Sequence, residues 1–204
     1  METRRFDKKD VKEVAELLKN GQVVAFPTDT VFGLGVIYEN EEALRKLKES
    51  KGRPENKPIP TMVADVEQMK CIAQMPAEAV ALADAFMPGA FTMILKKQET
   101  LPDYVTNGFP TVGIRMPDDP FVLRLIKECG KPLLVTSANR SGDETGVRDD
   151  QVLAQLDGRI DAIVLGEAKG KLASTIVDMS DEEPRIVREG PISADDIKKV
   201  LHNA

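Results

Sequence analysis

The chain has 204 residues, 42% hydrophobic and 30% charged, a soluble globular mix rather than a disordered or membrane one. Acidic residues outnumber basic ones by 34 to 28, for a net charge of -6. That balance argues against a protein devoted chiefly to gripping nucleic-acid phosphates, while leaving room for a local basic patch.

No internal repeat or long linker interrupts the chain, so a single domain spanning 1–204 is predicted. The N-terminal METRRFDKKD lacks the apolar stretch of a secretory signal, and nowhere do about 18 apolar residues run together. A cytoplasmic protein with no membrane partner is expected. VKEVAELLKNG reads as a helix with Asp10 as N-cap and Gly21 as its stop. QVVAF (22–26) is a strand, PTDT a polar turn, and VFGLGVI (31–37) a second apolar run. Asn40 is placed to cap the helix EEALRKLKES, after which KGRPENKP forms a loop leading to a strand over 59–64. A helical stretch over 65–86 is broken at Pro76, which suits the first turn of a new helix. FTMILKK (91–97), TVGIR (111–115) and PLLVT (132–136) are strands, with the helix DPFVLRLIKEC between the last two. After the loop SANRSG come the helix DDQVLAQL and the strands DAIVLG, STIVDM and RIVREG. Ser193 caps a last helix, ADDIKKVL. Alternating helices and strands predict an α/β fold. Several connections are too short for a helical crossover, so the sheet should be mixed.

The single histidine, His202, falls on that last helix and reads as a surface residue. Histidine-based triads and histidine metal clusters are thereby excluded. Cys71 and Cys129 form no C-x-x-C pair and read as free buried thiols. GEAKGKLAS (166–174) imitates a phosphate-binding P-loop but has three residues between its glycines instead of four, and Leu172 follows Lys171.

Polar and glycine-rich residues recur at strand ends, where ligands of open α/β sheets bind. Gly33 and Gly35 in PTDTVFGLG permit close backbone packing. Lys51, Arg53 and Lys57 crowd the KGRPENKP loop and, with Arg188, suit a triphosphate. Arg115 ends an apolar strand and must be paired or face a polar cavity. Its planar fork suits a carboxylate. Hydroxyls of Thr30, Thr111, Ser137 and Ser174 offer neutral hydrogen bonds. With no evident nucleophile, positioning and electrostatics are left to do the catalysis.

PTDTVFGLG, KGRP with its following KP, PGAFTMIL, VGIRMPD, TSANRSG, STIVD and IVREG stand in the order and spacing of the YrdC/Sua5 threonylcarbamoyl-AMP synthases, which the chain resembles from about residue 11 to 190. The resemblance implies a twisted mixed sheet with flanking helices around a large, positively lined cavity. It implies a nucleotidyltransferase that makes threonylcarbamoyl-AMP and pyrophosphate from ATP, L-threonine and bicarbonate, with Mg2+ carried by the ATP and no metal site of its own. Partner proteins would pass the threonylcarbamoyl group to adenosine 37 of tRNA, and any direct tRNA binding would be weak. Since the sequence stops one helix after IVREG, the short form without a further C-terminal domain is expected. By motif, the catalytic residues would be Lys51, Arg53, Ser137 and Asn139. ATP would be held by Arg53, Lys57, Thr111, Ser137, Thr145 and Arg188. L-Threonine would be held by Thr30, Met62, Arg115, Ser174 and the backbone of Val135. The alternative is a non-catalytic module for double-stranded RNA or tRNA. Only 4% of residues are aromatic, which leaves such a module few stacking platforms.

Overall fold

The computed structural model describes residues 2–54, 57–170, 172–181 and 183–202. Glu55 and Asn56 of the KGRPENKP loop and Lys171 of the P-loop lookalike fall outside that set.

The chain begins with β1 (Arg4–Phe6), α1 (Val11–Lys19), β2 (Val24–Phe26), β3 (Gly33–Ile37) and α2 (Glu41–Lys51). It continues through β4 (Thr61–Met62), α3 (Val66–Ile72), α4 (Ala77–Phe86), β5 (Phe91–Lys96) and β6 (Thr111–Arg115). Then come α5 (Pro120–Cys129), β7 (Leu133–Ser137), α6 (Asp149–Leu156), β8 (Ala162–Val164), β9 (Thr175–Asp178), β10 (Arg185–Arg188) and α7 (Ala194–His202). Among the described residues the strands join one sheet in the order β1-β8-β2-β3-β7-β4-β6-β5-β9-β10. The sheet is mixed, as expected: β8 runs parallel to β1 and β2, whereas β3 is antiparallel to both its neighbours.

Local chemistry sets the helix ends. The Asn40 side chain accepts from the Ala43 amide, and Asp119 accepts from Phe121 and Val122 ahead of Pro120 in the first turn. Gly52 and Gly130 end α2 and α5 in the left-handed conformation. The helix α2 runs one residue into the predicted loop, which puts Lys51 in its last turn.

Three readings change. The strand β1 was not foreseen, because three residues with two exposed arginines carry no alternation, and its partner β8 is remote in sequence. The strand expected over 59–64 shrinks to Thr61–Met62, since Pro58 and Pro60 have no amide to give a ladder. Cys129 is buried as expected, but Cys71 is exposed, because Met69 and Ile72 form the inward side of the short α3.

The two faces of the sheet are covered unequally. One face packs against α2, α3, α4, α6 and α7 through Leu47, Met69, Leu82, Leu156 and Ile197. On the other, α1 and α5 pair through Val14, Leu18, Val122 and Ile126 over β8, β2 and β7. The second face is therefore open beyond β7.

Thr61 offers a test of the packing. It is fully buried between Leu134 and Ile114, and its Oγ1 has no hydrogen-bond partner. A buried hydroxyl without a partner costs about 1–3 kcal/mol, so Thr61→Val should stabilise the fold by on the order of 1 kcal/mol. Urea unfolding should show a higher midpoint at unchanged slope; a lower midpoint would mean the hydroxyl is satisfied.

Candidate active site

The open half of the sheet is the floor of a cavity of about 320 Å3. Residues opposite one another across a ladder point to the same face. Met62 is opposite Arg115. The pairing of Met93 with Ile114 sets Thr92 beside Arg115. Thr92 is opposite Ile176, and Ile176 opposite Arg188. One row across five strands thus reads Met62, Arg115, Thr92, Ile176, Arg188, and all five line the cavity. The walls come from the loop after β2 with Thr28 and Thr30, the loop after α2 with Arg53, and Ser137, Thr145 and Ser174.

Three guanidinium groups face this space. Arg115 gives its Nη2 to Asp29 Oδ1 at 2.6 Å and its Nε to the Gly89 carbonyl at 3.4 Å, with both charged side chains only 8% exposed. Arg53 donates to the Pro58 carbonyl at 2.9 Å, the Lys57 carbonyl at 3.3 Å and Thr136 Oγ1 at 3.4 Å. Arg188 grips the Ser174 carbonyl at 3.0 and 2.9 Å. Among the described residues, Asp29 is the one carboxylate bonded to any of the three. Burial lowers the pKa of each; the charge of Arg115 adds to the effect at Arg188, and Asp29 opposes it at Arg115. Guanidinium groups nevertheless stay protonated. The cavity therefore carries surplus positive charge, the complement of an anionic ligand.

A backbone acceptor joins them. The Val135 amide donates to the Pro60 carbonyl at 3.0 Å, which makes residues 60 and 135 a hydrogen-bonded pair of the antiparallel ladder. The return bond requires an amide at position 60, and proline has none. The Val135 carbonyl thus lacks its ladder donor beside the cavity, and a contact through the Val135 backbone falls to that oxygen.

The expected site residues divide into two groups. Arg53, Ser137, Thr145, Arg188, Thr30, Met62, Arg115, Val135 and Ser174 meet around the cavity. Lys51 and Asn139 lie behind it. Lys51, 3% exposed, donates its Nζ to the carbonyls of Ser137 and Asn139 and to Asn139 Oδ1 at 3.4 Å. Asn139 in turn donates to the carbonyls of Arg140 at 2.8 Å and Asp143 at 2.9 Å. These two shape the loop that presents Ser137. Lys57 is exposed and reaches the site through its carbonyl on Arg53. Thr111 lies at the far end of β6 from Arg115, about 13 Å away at 3.3 Å per residue, beside Gln74 and Asp181. A strand presents only one of its ends to a site.

Several participants escaped the sequence reading. Asp29 stood inside PTDT, 86 residues from Arg115, and an acidic residue in a strand-end turn was the signal available. Thr92 shares a hydrogen bond of 2.8 Å with the Ser174 hydroxyl. Thr28 Oγ1 accepts from the Thr30 amide at 3.1 Å and donates to the Val31 carbonyl at 2.7 Å, fixing the turn. Gly33 does serve packing, since a Cβ there would come within 2.8 Å of Val135. At Gly190 the need is sharper still. A Cβ there would stand 2.5 Å from the Ala173 carbonyl, so only glycine lets the exit of β10 pass the Ser174 segment.

Fold and site together define an α/β protein with an arginine-lined cavity at the strand ends of a half-open sheet. The family model described as "Telomere recombination" (Sua5/YciO/YrdC) matches residues 16–190. The chain belongs to that family. It is 41% identical over 194 residues to the threonylcarbamoyl-AMP synthase of Bacillus subtilis, covering 94% of this chain and 56% of that one. It superposes on the P. abyssi Sua5 structure, described as complexed with L-threonine, with a TM-score of 0.91 at 34% identity, covering 97% of this chain and 59% of the other. E. coli YciO superposes with a TM-score of 0.85 at 25% identity, covering 96% and 97%. The chain thus spans somewhat over half the length of the first two.

Lys51 makes the site's loop sensitive to pH. Desolvation, then the charge of Arg53, pulls its ammonium down to about 7 from the ordinary 10.5. Between those values the unfolded chain binds the extra proton, so stability rises with pH. The destabilisation is fully present below pH 7 and is relieved as pH rises through the folded value toward 10.5. The stability of the parent relative to Lys51→Met should therefore climb across that window in thermal scans at stepped pH. A flat difference would show that the amine stays charged.

Proposed function

We propose that the protein is an L-threonylcarbamoyladenylate synthase, a cytoplasmic nucleotidyltransferase acting on ATP, L-threonine and bicarbonate. The observation that carries this reading is the cavity bearing three guanidinium groups against one bonded carboxylate among the described residues. A triphosphate and an amino-acid carboxylate together need such a surplus. The B. subtilis relative is named for a threonylcarbamoyl-AMP product and the P. abyssi structure is described as complexed with L-threonine, which supports the threonine and adenylate parts of this reading.

The threonine amine attacks the carbon of bicarbonate and water leaves, giving a carbamate. A carbamate oxygen then attacks the α-phosphorus of ATP, the bond to the bridging oxygen breaks, and pyrophosphate departs with the electron pair. Arg115 keeps three N–H bonds beyond those given to Asp29 and Gly89, enough to clamp the threonine carboxylate. Thr30, Ser174 and the Val135 carbonyl take the polar groups of threonine, and Met62 packs beside its side chain. Arg53, Ser137, Thr145 and Arg188 hold the nucleotide, and charge growing on the departing pyrophosphate is met by Arg53 and Arg188. Lys51 and Asn139 act through the Ser137 loop. Mg2+ arrives with the ATP and offsets phosphate charge. Partner proteins then transfer the threonylcarbamoyl group to adenosine 37 of tRNA, and the protein itself holds tRNA weakly.

Incubation with ATP, threonine and bicarbonate should give threonylcarbamoyl-AMP by mass spectrometry, with pyrophosphate released without a second protein. Tight, salt-insensitive tRNA binding without product would favour the RNA module instead. Two variants should separate the pockets. Arg115→Lys keeps charge but loses the fork, at roughly 1.5–3 kcal/mol, so the threonine KM should rise about ten- to a hundredfold more than the ATP KM. Arg53→Ala should mainly depress kcat, by on the order of a hundredfold. A collapse of ATP binding in Arg115→Lys at unchanged threonine KM would reverse the assignment.

A further inference from the structure

Arg53 and Arg188 are held by neutral oxygens, whereas Arg115, second in the cross-strand row, has a carboxylate. Asp29 does not line the cavity, yet its side chain is as buried as that of Arg115. It approaches Arg115 from behind, on Nη2, while Gly89 takes Nε. The loop that carries Asp29 is itself fixed: the Thr28 side chain bonds within the turn, and Gly170 packs so closely on it that a Cβ would lie 2.9 Å from the Asp29 carbonyl.

We propose that Asp29 is a positioning residue for amino-acid selection: it fixes the Arg115 fork and neutralises it, so that this arginine takes a carboxylate in one orientation and leaves phosphate to its uncompensated neighbours. This rests on the reading that Arg115 holds the threonine carboxylate. A free guanidinium in a cavity beside two others is an indiscriminate anion site. Pairing one edge with Asp29 removes that generality, because the pair is nearly neutral at a distance and only a planar acceptor matched to the remaining N–H bonds gains from it. The charge of the cavity is thus graded, with the flanks at Arg53 and Arg188 left for the triphosphate.

The experiment is steady-state kinetics of the full chain with Asp29→Asn and Asp29→Glu, alone and with Arg115→Ala, after checking folding by thermal unfolding. Asp29→Asn should raise the threonine KM by roughly tenfold or more while the ATP KM stays within about twofold. In the Arg115→Ala background, Asp29→Asn should add nothing, because a residue acting through another has no target once that one is gone. Asp29→Glu keeps the charge with a displaced oxygen and should give a smaller selective rise. Equal movement of both KM values, no movement, or an undiminished effect without Arg115 would each overturn the proposal. If Asp29→Asn does not fold, Asp29→Glu decides by the same split. Failure of both variants to fold would make the pair a structural strut and overturn the positioning role. A parent protein that neither binds nor consumes threonine would sink the function itself, an outcome distinct from an active parent with an unaffected Asp29→Asn.

Discussion

The site is organised around one buried ion pair. A guanidinium 8% exposed in the middle of a sheet costs several kcal/mol unless a partner reaches it. The partner of Arg115 comes from the turn between β2 and β3, three strands away in the sheet order. That single bond fastens the wall of the cavity to its floor. It also explains why the turn must be rigid: a loose Asp29 would leave Arg115 uncompensated, and the Thr28 hydroxyl closes the turn on the Val31 carbonyl at 2.7 Å. Breaking such a pair from one side is far costlier than never having made it, which gives the arrangement its fixed geometry.

The cavity exists because helices are divided unevenly between the faces. Among the described residues α2, α3, α4, α6 and α7 cover one face and the α1–α5 pair covers part of the other. A sheet half-covered in this way leaves alternate residues of β4, β6, β5, β9 and β10 without a helix packed over them. On an ordinary outer face these would be an unremarked polar row. Here the row carries two arginines and is walled by loops from both directions, so it is concave and partly desolvated, and its charges act at longer effective range than on an open surface.

Much of this was legible in the sequence, and the failures share a cause. Asn40 and Ser193 announced their helices through local hydrogen bonds, and they do bond the amides of Ala43 and Asp196, whereas Asp10 makes no capping bond to α1 and its carboxylate accepts from the Asp7 amide instead. Arg115 was legible as a cavity residue because an arginine closing an apolar strand has few alternatives. Strand β1 was illegible, since its pairing with β8 is set by residues far along the chain. Motif proximity also misled in a consistent way. Lys51, Arg53 and Lys57 sit within one motif, yet Lys51 closes α2 and turns inward to backbone oxygens, Arg53 faces the cavity and Lys57 faces outward. Spacing identifies a loop with chemistry, but the direction of each side chain depends on where α2 ends. Thr111 and Arg115 likewise share a motif-bearing strand whose length separates them.

The overall charge of -6 and the character of the cavity point in opposite directions, and the two are reconciled by range. Exposed carboxylates such as those of Glu42, Glu67 and Asp150 are screened within about 8 Å at physiological ionic strength. Charges inside a walled cavity are screened much less. The acidic exterior therefore discourages a long polyanion, which must contact many surface positions at once, while leaving the interior field of Arg53, Arg115 and Arg188 nearly intact for a small one. A small anion can enter that field with its whole charge, but a long polyanion can bring only the few charges that reach the mouth. Net charge thus describes what the surface repels, and the local count of guanidinium groups against carboxylates describes what the cavity holds.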